Sequence, residues 1–447
     1  MVTVKDISQE AIIDSLSEVL SVIETNRQKE REYLLDFYEG INLHDYIQKY
    51  FGTESLQQVP IFEQNLTKRV CSLRSQTYRK PPKMNTDSRY LDHINESGLI
   101  ATRRQLERLT FLLGSMCFRS RWSDLTQQIE YENISFFEPL FLPGEGNKRP
   151  WGIMYAIENQ GMSKMERTKF AIWTEDRPEK RGMHFLIDSD GNKESVNPGD
   201  VNPYGLLPVV FTHRYQPIRD FYVGGANDLV SADLAISVAL TELSLCIRYG
   251  AIGIKYITNC DDSSRITLGV DKILYLPENS SLGVTAPSGN LNDIVESTKF
   301  MVMATLQNNH IRIKYSDVAG NAPSAESLRI QEIENTSENE AAMEDIWRPF
   351  EKARYNVDRK IIEVQTGIKL SPDYSCDFSH QNYPMTTMDE IAYWSWRFEN
   401  NLAEPVEWFD FQNPDALEEV RQEFIQRTKE KEQQPTNRLL SRLSNGE

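Results

Sequence analysis

Between residues 7 and 38 the apolar side chains Ile12, Ile13, Leu16, Leu20, Ile23, Leu34, Leu35 and Tyr38 fall mostly three, four or seven positions apart. That spacing lines one face of a helix, and Gly40 is placed to end it. A second amphipathic stretch runs from about Phe62 to Arg74 and stops before Pro81 and Pro82, because the residue before a proline avoids the helical region. A third, from about Ile100 to Cys117, carries Arg103, Arg104, Glu107 and Arg108 on what the spacing makes its outer face. The first third of the chain therefore reads as mainly helical.

From about residue 128 the texture changes to short β-branched and aromatic runs, ISFFEPLFL, KFAIWT, HFLI and LLPVVF, with turn-forming segments between them. DSDGN after HFLI predicts a hairpin, since Asp and Gly tolerate the positive φ of tight turns. The pattern predicts an inserted antiparallel region over about 128–222, with Trp151, Trp173 and Phe211 filling its core. Beyond Gly224 and Gly225 lies NDLVSADLAISVALTELSLCIRYGA, a helical run apolar on more than one face. Such a helix needs neighbours on several sides, either within its own chain or from other copies. Short β-like pieces follow over 251–290, then another helix from Leu291 to about His310.

Residues 314–327, KYSDVAGNAPSAES, are small and polar and read as an exposed loop, because they cannot bury much apolar surface. A long helical pattern then covers about 324–365. Acids, including Glu332, Glu338 and Glu344, crowd its first half; Arg348, Lys352, Arg354, Arg359 and Lys360 occupy its second, an order that complements the helix dipole. Pro349 falls inside the pattern, where it removes a donor and crowds the preceding turn, so a kink is expected there. Two further helical stretches, about 386–402 and 414–432, precede a tail that reads as frayed.

The chain has 447 residues with 66 Asp plus Glu against 49 Lys plus Arg, a net charge of −17. Its carboxylate excess repels a phosphate backbone over most of the surface, which excludes tight nonspecific duplex binding. No apolar run reads as reaching the roughly 20 residues that cross a bilayer, and the first residues lack a basic segment, so a soluble intracellular product without a membrane partner is expected. Five cysteines without CxxC pairing argue against a disulfide framework or zinc knuckle.

The search for catalytic chemistry returns little. There is no GxxxxGK[ST], HExxH, GxSxG or GxGxxG after a strand, so neither an ATP-driven motor nor a familiar hydrolase is encoded. Cys376 and His380 lack a second pair of ligands. Asp261 with Asp262 reads as a solvated turn rather than a Mg²⁺ site. The expectation is no enzyme, no catalytic or cofactor-binding residue and no metal. His310, Arg312 and Lys314 form a small cationic group leading into the polar loop; by themselves they read as a solvated helix end.

The order of these elements resembles the portal proteins of tailed bacteriophages over roughly residues 30–430. The resemblance rests on REYLLDFYEG, on FEQNLTKRVCSLRSQTYRKPP running into its prolines, and on VNPYGLLPVVF followed by NDLVSADLAISVAL. It rests further on the polar loop with ESLRIQEIENTSENEA, and on CDFSHQNYPMTTMDEIAYW. Where the family has a glycine at the entry to the helix after the loop, this chain has Ala325.

The resemblance implies an α+β, mainly helical portal fold assembled as a ring, typically a dodecamer. Residues 1–225 would form the wing, with the β region inside it. The stem helices would be 226–250 and 291–313, the clip 251–290, and the tunnel loop 314–327. A long kinked helix and following strand at 328–385 would return to the wing, 386–432 would be the crown, and 433–447 a flexible tail. Arg312, Lys314, Ser316, Asp317, Val318 and Asn321 would face DNA at the constriction. The implied role is a portal vertex in the virion, assembled in the host cytoplasm, through which double-stranded DNA is packaged and later ejected without sequence specificity. Implied partners are the terminase large subunit, a head-completion or adaptor protein, and the major capsid and scaffolding proteins. Two alternatives stay open: another minor capsid or head-tail adaptor protein, and a nucleic-acid enzyme with an unrecognised acidic site.

Overall fold

The computed structural model describes residues 2–4, 7–15, 27–51, 61–144, 146, 148–158, 168–188, 192–252, 254–258, 281–285, 291–311, 335–378, 387–413 and 420–428. The chain divides into two compact units, Met1–Ser316 with Gln331–His380, and Asp317–Ile330 with Gln381–Glu447. Helix and sheet are mixed, the α+β class the patterning implies.

In the larger unit the helical start consists of α1 (Arg27–Glu39), α2 (Leu43–Gln48), α3 (Leu66–Arg74), the single turn α4 (Ser88–Leu91) and α5 (Glu96–Leu113). Residues 9–15 are also helical. Gly40 ends α1 with φ 77°, a conformation open mainly to glycine. The second amphipathic stretch starts later than its spacing suggests, at Leu66, because the Asn65 side chain accepts from the Lys68 amide at 3.0 Å and caps the helix there.

The third stretch is corrected twice. It ends at Gly114 rather than Cys117, and Cys117 lies in strand β3 (Ser115–Ser123). Gly114 has φ 78°, and a Cβ there would come within 2.3 Å of the Val223 carbonyl oxygen. A helical residue with a side chain cannot occupy this crossing. The strand region therefore opens thirteen residues before the texture change at 128, as the simple count from 115 shows.

The second correction concerns charge. Arg103 and Glu107 are buried, not solvent-facing, and so is Arg354 of the long helix. A small strand pair, β2 (Lys83–Asn85) with β13 (Ser375–Asp377), lies beside them. Helix α8 (Arg348–Thr366) carries Glu351, Arg354 and Asp358 on one face, at helical spacing. The Arg354 guanidinium donates to Glu351 at 3.0 Å and to Asp358 at 2.5 Å, and Arg103 reaches Glu351 at 2.5 Å. Tyr78 and Tyr374 donate to Glu351 at 2.8 and 3.0 Å. Tyr90, Tyr131 and Ser120 donate to Asp358 at 2.7, 3.0 and 2.6 Å. Burial alone would raise the Glu351 carboxyl, but Arg354 and Arg103 outweigh it and hold the group below its ordinary range.

Helix α8 continues a helical segment at 335–342 through one π-helical turn, Met343–Trp347, and Pro349 sits in the first turn after it. A wider turn here is physically apt, since proline offers no amide to the carbonyl below it.

The β region forms two sheets. Six strands run in the order β1-β5-β6-β7-β8-β9, namely Val2–Thr3, Phe137–Phe141, Gly152–Glu158, Thr168–Thr174, His184–Ile187 and Lys193–Ser195. All neighbours are antiparallel except β1, which adds parallel to β5. The β8–β9 pairing is the predicted hairpin, closed where the Asp188 amide donates to the Asn192 carbonyl at 3.0 Å. The second sheet is β10-β3-β4, with β4 at Gln128–Ile134 and β10 at Val209–His213. One cluster between them takes Phe137, Phe141, Trp173, Val209 and Phe221, with Phe211 packed against it; Trp151 lies in a second cluster under β6–β8. His213, beneath Phe221, contacts Ser115 Oγ through Nδ1 at 3.0 Å. Burial lowers it to about 4, and lowers His184, stacked on Trp173, to about 4 as well.

The smaller unit is aromatic. Within it Trp394 of α9 (Thr387–Glu399) packs on Phe411 of α10 (Pro405–Gln412) at 5.3 Å, Phe409 stacks on Phe424, and Arg421 pairs with Asp410 at 2.9 Å.

Arg354→Met should destabilise the purified protein by ~3–5 kcal/mol, because it leaves the buried Asp358 without a cation and Glu351 with Arg103 alone; a urea-unfolding change below about 1 kcal/mol would contradict the network's role. A pH series reads the histidines. Their folded values lie below the unfolded one, so the unfolded state takes up protons first as pH falls from 6.5. The contribution is fully present above 6.5 and lost towards about 4, at up to ~1.4 kcal/mol per pH unit per site. His213→Asn should remove about half of that slope; an unchanged slope would show that other groups set it.

Candidate functional site: the paired helices and their strand pair

The long helix after Gly225 begins at a glycine crossing. The Ala226 amide donates to the Leu112 carbonyl at 2.8 Å, and a Cβ on Gly225 would stand 2.4 Å from that same oxygen. Two backbones meet here without side chains between them, which fixes where α6 (Asn227–Ile252) leaves the core. At 26 residues it is about 39 Å long.

The two ends of α6 differ. Leu229, Val230 and Ile236 are buried with α1, α3 and α5 in the main core. Asp233 is buried too. Its carboxylate accepts from the Thr67 amide at 2.8 Å and the Thr67 hydroxyl at 2.7 Å, and burial raises its pKa. Further along, Leu243, Leu245 and Cys246 are half-buried and Ile247 is 53% exposed. Over Asn227–Ile247 the helix is long and apolar enough to cross a membrane by length and composition, with 28% of its apolar window buried. The sequence-based exclusion of any such helix is thereby corrected: an interspersed Asp233 and Glu242 mask the run when apolar residues are counted consecutively, but not when they are averaged. One such helix is weak evidence for a membrane, and an Asp233 bound to Thr67 suits a protein core.

Strand β11 (Ile254–Thr258) pairs antiparallel with β12 (Ser281–Thr285), Tyr256 opposite Gly283. Helix α7 (Leu291–Asn308) follows and packs along α6. It runs the other way, starting outside the core and ending at it: Leu291, Phe300 and Met303 are exposed, Phe300 by 67%, whereas Leu306 and, just beyond the helix, Ile311 are buried.

Most hydroxyls of this pair turn onto their own helix. Ser244 donates to the Leu240 carbonyl, Thr298 to Ile294 and Thr305 to Met301, each at 2.8–3.0 Å. Thr241 donates to Ser237 and accepts from the Phe62 amide. The exposed faces still mix apolar and polar groups: Ile247, Phe300 and Met303 stand among Ser231, Glu242, Asp293, Ser297 and Lys299, the last paired with Glu296 at 2.8 Å.

The remaining sequence-derived candidates fall elsewhere. Arg312, Lys314, Ser316, Asp317, Val318 and Asn321 lie outside the described residues, as do Asp261, Asp262 and His380. The described chain reaches Ile311, immediately before the first of those cations. Among the described residues no group of three or more His, Cys, Asp or Glu could hold a metal. The exposed Ile247 was legible only as part of an all-round apolar helix, and Phe300 and Met303 of α7 were not singled out by the sequence at all; which turns of α6 stay uncovered depends on where the glycine crossing releases it.

No protein-family model and no curated protein matches this sequence. Several solved structures are similar to it, among them the following three. One is the virion of a native gene transfer agent particle, 11% identical, covering 82% of this chain and 91% of that one, with a TM-score of 0.37. Another is the neck of a native gene transfer agent particle, 10% identical over 79% and 92%, with a TM-score of 0.39. The third is an HK97-family phage portal protein from Corynebacterium diphtheriae, 11% identical over 74% and 94%, with a TM-score of 0.28.

Replacing Ile247 and Phe300 together by Ser should change the unfolding free energy by no more than about 1 kcal/mol, since more than half of each residue is exposed. The same change should reduce self-association in sedimentation velocity. Unaltered association would remove these faces from any contact between copies.

Proposed function

We propose that this chain is a portal vertex protein, a head-tail connector whose copies close into a ring around a DNA channel. One observation carries the reading: two antiparallel helices leave the core side by side, tipped by a strand pair, with apolar faces that their own chain leaves uncovered. Identical neighbours in a closed ring would bury those faces, and would give the two-stranded β11–β12 pair the support that an isolated pair lacks. The sequence resemblance, which spans these same elements in the same order, supports the reading independently of packing.

In this reading α6 and α7 are the stem, the β11–β12 region the clip, α9 and α10 the crown, and the rest of the larger unit the wing. Arg312, Lys314, Ser316, Asp317, Val318 and Asn321 line the constriction, and Pro349 marks the kink of the long helix. The net charge of −17 serves a conduit better than a clamp: a carboxylate-rich wall repels duplex DNA from all sides, so the duplex slides. The protein itself does no chemistry. Packaging energy comes from a terminase docked at the clip, later replaced by an adaptor protein, with capsid and scaffolding proteins around the wing, in a particle assembled in the host cytoplasm.

Mass photometry of the purified chain tests this. Twelve copies of 51.7 kDa give a species of about 620 kDa, and axial electron-microscope views should show a central opening wide enough for a duplex. A chain that stays monomeric at every concentration and salt tested, or inserts into vesicles instead, would overturn the reading.

A further inference from the structure

Charge is distributed unevenly along this acidic chain. Residues 64–86 contain six Lys or Arg, Lys68, Arg69, Arg74, Arg79, Lys80 and Lys83, and no Asp or Glu. The fold gathers part of this run into one exposed cationic edge. Arg104 of α5 lays its guanidinium on the turn after α3, donating through Nε to the Tyr78 carbonyl at 2.9 Å and through Nη2 to the Arg79 carbonyl at 3.0 Å. Arg79, Lys80 and Arg104 are all exposed, and Lys83 follows after Pro81 and the buried Pro82.

Two of the nearby carboxylates are engaged by close partners and a third, Asp377, is shared with Arg348. Glu107 is buried and accepts from the Thr77 and Tyr78 amides at 2.8 and 3.2 Å. Asp87 pairs with Arg89 at 2.6 Å. Asp377, across the strand pair from Lys83, lies 3.8 Å from Arg348.

We infer that this edge, Arg79, Lys80, Lys83 and Arg104, is a contact site for the phosphate backbone of duplex DNA. The stiffness of the platform matters first: two carbonyls hold Arg104 and two prolines restrain the segment, so little side-chain and backbone freedom is lost on binding. Charge density matters next. A ligand must gain enough here to offset repulsion from the rest of a −17 surface. Duplex DNA, with a charge every ~1.7 Å, does so over a short contact, whereas an acidic peptide carries far fewer charges per length. Contacts of this kind are sequence-blind and salt-labile. The inference goes beyond the portal reading and does not require it.

The full-length chain and a fluorescent random duplex, titrated by anisotropy from 25 to 200 mM NaCl (about the range over which such contacts weaken), test it. Arg79→Gln, Lys80→Gln and Lys83→Gln combined should weaken binding about tenfold or more at the lowest salt and lower the slope of log affinity against log salt by roughly 2–3. A control with the same charge change at Lys29, Lys148 and Lys352, all exposed elsewhere, should weaken it less than about threefold. Equal losses in both variants, or no binding at 25 mM salt, about the most favourable condition, overturn the inference. So does polyglutamate binding as tightly as the duplex, which would make the edge a docking site for an acidic protein. Mass photometry on the same samples keeps the two readings apart: rings without DNA binding at this edge reject the inference alone, and DNA binding by a chain that never forms rings rejects the portal reading alone.

Discussion

Four charges with no access to water organise the larger unit. Arg103, Glu351, Arg354 and Asp358 come from α5 and α8, and their hydrogen-bond partners come from the turn after α3, from α4, from β3, from β4 and from the segment before β13. Two guanidinium groups balance two carboxylates, so no net charge is buried, and five hydroxyls satisfy much of the carboxylates' remaining capacity. Such a cluster contributes less to stability than equally well-packed apolar residues could. Its effect is on arrangement: each member accepts only partners at fixed distances and angles, so the elements that supply them have one way to meet.

From that fixed body the two long helices depart at a backbone crossing too close for side chains. Gly114 and Gly225 therefore matter more for the proposed conduit than any titratable residue. They decide at which turn α6 ceases to be core, and hence which of its apolar residues are left for another surface to cover. The carboxylate Asp233 marks the inner side of that boundary, the exposed Ile247 the outer side.

Much of this was legible in the sequence. Helical spacing located α1, α3, α6 and α7, the DSDGN turn located the β8–β9 hairpin, and the all-round apolarity of residues 228–250 pointed to a helix that is buried at one end and carries exposed apolar residues at the other. Charge was misread where helical spacing alone assigned it. Arg103 and Glu107 look solvent-facing until Glu351, 248 residues further on, and the Thr77 and Tyr78 amides, some 30 residues back, are brought beside them; helical spacing within α5 encodes neither pairing. The end of α5 was misplaced for a related reason, since the need for glycine at 114 comes from the backbone of 223 and 224. The consecutive-run criterion likewise missed how apolar α6 is on average. The channel-facing residues proposed from resemblance lie beyond Ile311, outside the described chain.

The inward-turned hydroxyls of α6 and α7 carry a mechanical implication. Directional bonds between neighbouring surfaces act like teeth, setting a register that must be broken before anything can move. Alkyl and aromatic faces act more like a greased bearing, because apolar contact depends on area rather than on angle. In the proposed ring, helices whose hydroxyls are satisfied by their own backbones would shift against adjoining copies by small rotations at little cost, so the assembly would be tight overall and yet compliant about its axis.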